Sequence, residues 1–133
     1  MAKAKIVVTD DDPEIRDTMQ ALLETRGYTV ITAANREEGM EAIKRERPNL
    51  AILDVMMETW EDGFEMSREI KKNPELKDIP ILMLTGIQEK TGIEVKSAAG
   101  DPDWLPVDAF LEKPVKPSKL LSQIEELLLN KSE

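Results

Sequence analysis

Apolar and polar positions along this chain fall into blocks that read, in order, as strand, helix, strand, helix. Ile6, Val7 and Val8 form a β-branched run that ends abruptly in Thr9, Asp10, Asp11, Asp12 and Pro13. This predicts a buried strand followed by a helix start, with proline at a first helical position. From Pro13 to Arg26 the apolar residues Ile15, Met19, Leu22 and Leu23 share one helical face, and Gly27 supplies a stop. Tyr28 to Ala33 is a second strand. Asn35 with Glu38 three residues later resembles a capping box, with Asn in place of Ser or Thr, for a helix running to about Arg47, before Pro48. Leu50 to Asp54 is a third strand, apolar almost throughout. Phe64 to Lys72 is a third helix with Phe64, Met66 and Ile70 as its buried stripe.

Ile79 to Thr85 reads as a fourth strand with a proline at its start, and Phe110 and Leu111 lie in a short fifth one. Ser118 to Leu129 carries Leu120, Leu121, Ile124, Leu127 and Leu128 at helical spacing and is a closing helix, with the last three residues a frayed tail. Between them, Gly86, Gly92, Gly100, Pro102 and Pro106 limit the stretch from Gly86 to Asp108 to a weak helix over Ile93 to Ala99 plus a loop. Apolar strands alternating with amphipathic helices imply a parallel sheet covered on both faces, because each crossover lays a helix on one side. The expected fold is doubly wound α/β, as a single domain over residues 1–133 with its core at about 4–129.

Length and composition narrow the class. At 133 residues there is no room for a second folded domain, and the hydrophobic fraction of 41% suffices for one core. No apolar run approaches the roughly 20 residues of a membrane-spanning helix, and the N-terminus turns acidic too early for a secretory signal. The absence of cysteine excludes disulfides and thiolate metal sites, the absence of histidine excludes zinc held through imidazole, and a cytoplasmic protein is expected. Eighteen basic against 27 acidic residues give a formal charge of −9, the wrong sign for general binding to nucleic acid or to an anionic membrane. A cation or a basic protein patch is the more natural partner.

The acidic residues fall where such a sheet binds ligands, beyond the carboxyl ends of its strands. Asp10 and Asp11 follow the first strand, Asp54 ends the third, Thr85 ends the fourth and Lys113 follows the fifth. Three carboxylates close together repel and call for a cation, and all-oxygen ligation favours magnesium or manganese. Asp10 to Asp12 could equally serve only to cap a helix. Asp54 weighs against that alternative, because a carboxylate ending the apolar run LAILD is not explained by solvation. With metal and Lys113 offsetting charge, Asp54 could act as a carboxylate nucleophile and form an acyl phosphate.

Taken together, IVVTDDDPEIR, AILDVMM, DGFEM, PILMLTG and AFLEKPVKP resemble, in order and spacing, the motifs of the response-regulator receiver family over almost the whole chain. The resemblance implies a flavodoxin-like sheet of order 2-1-3-4-5 and a phosphoryl group accepted on Asp54 from a histidine kinase or phosphotransfer protein. It implies that Asp11, Asp54 and the backbone carbonyl of Met56 ligate Mg2+ or Mn2+ directly, and that Asp10 acts through a metal-bound water. Thr85 and Lys113 would contact the phosphoryl oxygens, and Thr85 and Phe110 would form the switch that controls a downstream protein target. A monomer, or a dimer formed on phosphorylation, fits this reading, with no direct contact to nucleic acid or membrane.

The chain departs from the family pattern in places. Glu58, Thr59, Trp60, Glu61, Asp62, Gly63 replaces the usual proline and short turn after the phosphoacceptor. The interval from Thr85 to Lys113 is several residues longer than expected, with the extra length near Trp104 and Leu105. Met56 and Ile87 place apolar side chains where the family tunes hydrolysis, which predicts a long-lived phosphoryl group. Two other functions compete. A Mg2+-dependent phosphatase or phosphotransferase would commonly carry a second aspartate where Met56 stands, and a scaffold that works without phosphorylation would not need the full residue set.

Overall fold

The computed structural model describes residues 4–54, 62–85, 108–112 and 116–132. The first strand, β1 (Lys5–Thr9), leads into helix α1 (Pro13–Glu24), and β2 (Thr29–Ala33) into α2 (Arg36–Glu46). Then come β3 (Leu50–Asp54), α3 (Asp62–Lys72), β4 (Ile81–Thr85), β5 (Ala109–Glu112) and α4 (Pro117–Ser132). All pairings are parallel and the sheet order is β2-β1-β3-β4-β5, as the alternating pattern and the family resemblance lead one to expect. No helix among the described residues is long and apolar enough to cross a membrane.

Period-two alternation divides the strand residues between two buried faces. Ile6, Val8, Leu50, Ile52, Leu82 and Leu84 pack with Met19 and Leu23 of α1 and with Leu120, Leu121, Ile124 and Leu127 of α4. On the opposite side α2 packs against β1 and β2, with α3 beside it. An ideal Cβ on Gly39 of α2 would lie 2.6 Å from Thr9 Oγ1 and 2.8 Å from Met66 Cε of α3, so glycine permits that close approach. Met66 and Ile70 of the expected stripe are fully buried, joined by Ser67, while the side chain of Phe64 lies outside the described residues.

Several ends differ from expectation, each for a local reason. Helix α1 stops at Glu24 rather than Arg26, because Thr25 caps it and the chain reverses through Gly27 at φ 88°, a left-handed conformation suited to glycine. Tyr28 precedes β2 instead of starting it, since its N–H donates to Leu23 O at 3.3 Å and not to a strand. Helix α2 ends at Glu46, and Arg47 adopts the left-handed cap conformation. Ile79 likewise spends its N–H on Leu76 O at 2.9 Å and Pro80 has none, so β4 begins at Ile81. The expected frayed tail is incorrect at Lys131 and Ser132, which continue α4. The weak helix over Ile93 to Ala99 and the Trp104 loop fall outside the described residues.

Candidate metal and phosphoryl site

The site follows from strand register. Thr9 of β1 pairs with Leu53 of β3, so Asp10 and Asp54 stand side by side where the two strands end. Here β1 has β2 on one side and β3 on the other, and the connections run in opposite directions, which opens a crevice at the carboxyl edge. Asp10, Asp11 and Asp54 each offer a carboxylate oxygen, and these atoms lie within 4.8 Å of one another. Asp10 is 1% exposed and Asp54 4%, while Asp11 is open to solvent.

The three consecutive aspartates divide their work. Asp12 is the N-cap of α1, its Oδ1 accepting from Glu14 N–H at 2.9 Å. Asp10 is fixed on three sides. Its N–H donates to Ala33 O at 3.1 Å, its Oδ1 accepts from Asp12 N–H at 2.9 Å, and its backbone carbonyl accepts from the Arg16 guanidinium at 2.7 Å. Helix capping therefore accounts for Asp12 and for one oxygen of Asp10. It does not account for Asp11 or Asp54.

Two buried carboxylates and one exposed one, this close, form a hard, all-oxygen donor set whose mutual repulsion a divalent cation would relieve. The donor chemistry thus fits Mg2+ or Mn2+, and the exposed side at Asp11 gives an ion a path in.

Thr85 ends β4 opposite Glu112 of β5, and Phe110 pairs with Met83. The backbone thus carries both residues to the same side of the sheet region, Thr85 at the strand end and Phe110 two pairs earlier. Their side chains lie outside the described residues, as do Met56, Lys113, Ile87 and Glu58 to Trp60. Arg16 was not singled out in the sequence. The available signal was a cation four residues into a helix whose start is crowded with carboxylates.

Comparison with known proteins agrees with this geometry. The family model described as "Response regulator receiver domain" matches residues 6–125. A curated relative named "Probable transcriptional regulator ycf27" from Porphyridium aerugineum is 37% identical over 132 residues, covering 96% of this chain and 49% of the relative. The chain spans about half the length of the ycf27 relatives it matches. Among solved structures, a CheY-like response regulator receiver domain protein from Methanospirillum hungatei JF-1 superposes with a TM-score of 0.83 at 29% identity, covering 99% of this chain and 98% of the other. The chemotaxis response regulator CheY4 of Vibrio cholerae gives 0.75 at 30% identity over 95% of this chain and 99% of that one.

Proposed function

This chain belongs to the response regulator receiver domain family, and from that premise we propose that Asp54 is its phosphoacceptor. Receiver domains are signalling proteins that work with histidine kinases and downstream effectors. The observation that carries the assignment to Asp54 is its position: a carboxylate 4% exposed at the end of a central strand, with two further carboxylates within 4.8 Å.

In the proposed reaction a carboxylate oxygen of Asp54 attacks the phosphorus of a phosphohistidine on a kinase or phosphotransfer protein. The P–O bond forms as the N–P bond breaks, and the departing imidazole nitrogen keeps the electron pair. Asp11, Asp54 and the Met56 carbonyl would hold Mg2+, with Asp10 one water further out. When bound, the ion neutralises the crowded carboxylates and the charge on the transferred oxygens. Thr85 and Lys113 are assigned to the phosphoryl oxygens, and Phe110 to the packing change that follows. The product is a protein with altered surface contacts, so the chain is read as a switch that modifies only itself. The downstream target is expected to be a protein. For a cytoplasmic location the support is the family's pairing with kinases.

The test is incubation with a small phosphodonor and Mg2+, followed by intact mass. One phosphoryl group on the wild type and none on Asp54→Ala supports the assignment. Equal labelling of both proteins refutes it, and steady turnover of donor without a trapped adduct favours a phosphatase instead.

A further inference from the structure

The β1–α1 turn is held by a group outside the carboxylate cluster. Arg16, half-buried in the second turn of α1, reaches back six residues to donate to the Asp10 carbonyl at 2.7 Å, in the range of a strong charge-assisted bond. Asp10's own N–H is tied to Ala33 of β2 and its side chain to Asp12. The Arg16 side chain thus joins Asp10 to the body of the helix, beside the backbone bond from the Arg16 N–H to Asp12 O at 3.0 Å. Arg16 thereby holds the peptide between Asp10 and Asp11 from the side of the helix. The exposed carboxylate of Asp11 follows that peptide.

We propose that Arg16 is a positioning residue for the metal site, orienting Asp10 and Asp11 toward Asp54 through the Asp10 carbonyl. This rests on the reading of the carboxylate cluster as a divalent-cation site. Charge and geometry predict opposite signs, which makes the idea testable. A guanidinium near the cluster repels a cation, so on charge alone its removal would tighten metal binding. On the positioning account removal weakens it, by about tenfold, the lower end of what loss of an outer-shell partner costs.

The experiment is calorimetric titration of the whole chain with Mg2+ alone, alongside thermal unfolding. Arg16→Met keeps the aliphatic stem and helix propensity but has no donor. It is expected to raise the Mg2+ Kd about tenfold, and Arg16→Lys, which restores a cationic donor, to bring Kd back within about threefold of wild type. Leu22→Ala, which loses core packing at the far end of the same helix, is expected to lower the melting temperature without changing Kd. An unchanged or lower Kd in Arg16→Met overturns the proposal, as does a Kd shift in Leu22→Ala of the same size. If wild type itself takes up no Mg2+, the cation reading of the cluster fails and this inference with it. Normal wild-type binding with an indifferent Arg16→Met sinks the inference alone.

Discussion

Lys71 and Asp108 are joined at the edge of the sheet opposite the carboxylates: Lys71 Nζ donates to Asp108 Oδ2 at 3.1 Å, and the same oxygen accepts the Ile81 N–H at 2.7 Å. The ammonium also donates to the carbonyls of Lys77 and Ile79, at 3.1 and 3.0 Å. One side chain from the last turn of α3 thus holds the turn before β4 and, through Asp108, the start of β5.

Three acceptors suit the three N–H groups of an ammonium, which a planar guanidinium would not match. Lys71→Met should therefore destabilise the fold by about 1–2 kcal/mol, discounted from the full range for charged hydrogen bonds because both partners are partly solvated. Lys71→Arg should not restore it. Urea unfolding midpoints measure this, and a Lys71→Met midpoint equal to wild type would show that the clamp is incidental.

Close packing of α2 on β1 gives a second prediction. Replacing Gly39 by alanine improves helix propensity by about 1 kcal/mol, but its Cβ would fall 2.6 Å from Thr9 Oγ1 and 2.8 Å from Thr9 Cγ2. Thr9 is fully buried in β1, so relief requires shifting Thr9 or the backbone as well as Met66, and overpacking of this kind costs about 1–3 kcal/mol. Gly39→Ala is expected to be destabilising on balance. Among the described residues the Thr9 hydroxyl has no hydrogen-bond partner, so Thr9→Ala removes two of the three close contacts without breaking a bond, leaving the end of the flexible Met66 side chain as the third. In a double-mutant cycle the pair should be more stable than the sum of the single changes, and strict additivity would contradict the contact.

How far the sequence could be read depended on what each signal measures. Hydrophobic periodicity marks apolar runs, and it located β1, β3 and α2 within a residue or two because those runs break sharply in the sequence at Thr9, Asp54 and Pro48. It cannot report where a backbone N–H is spent, which is why Tyr28 and Ile79 look like strand residues although both donate to preceding turns. The carboxylate cluster was legible because Asp54 breaks an apolar run. Asp108 was not, since it acts on a backbone N–H 27 residues away, and Arg16 left only the weak signal of a cation near a carboxylate-rich helix start, because its partner is a backbone carbonyl and not a side chain.

The last prediction concerns alkaline pH. Tyr28 is 8% exposed, and its phenol is pushed above its ordinary value of 10.0, first by burial and then by the nearby Glu125 carboxylate, with Arg26 opposing. Ionisation would place a negative charge in that environment, so the folded chain keeps the proton at a pH where the unfolded chain releases it. Stability from this group is fully present below the unfolded value near 10 and is lost as pH rises through the folded one. Wild type should therefore lose stability above pH 10 more steeply than Tyr28→Phe, while the two run parallel between neutrality and the onset of that titration. Subtracting the two curves removes every contribution that the two proteins share. Because the chain has a single tyrosine, phenolate absorbance follows Tyr28 alone, and its midpoint should drop on unfolding in denaturant. Parallel stability curves through the alkaline range, or an absorbance midpoint that denaturant leaves in place, would mean that the folded protein does not protect this proton.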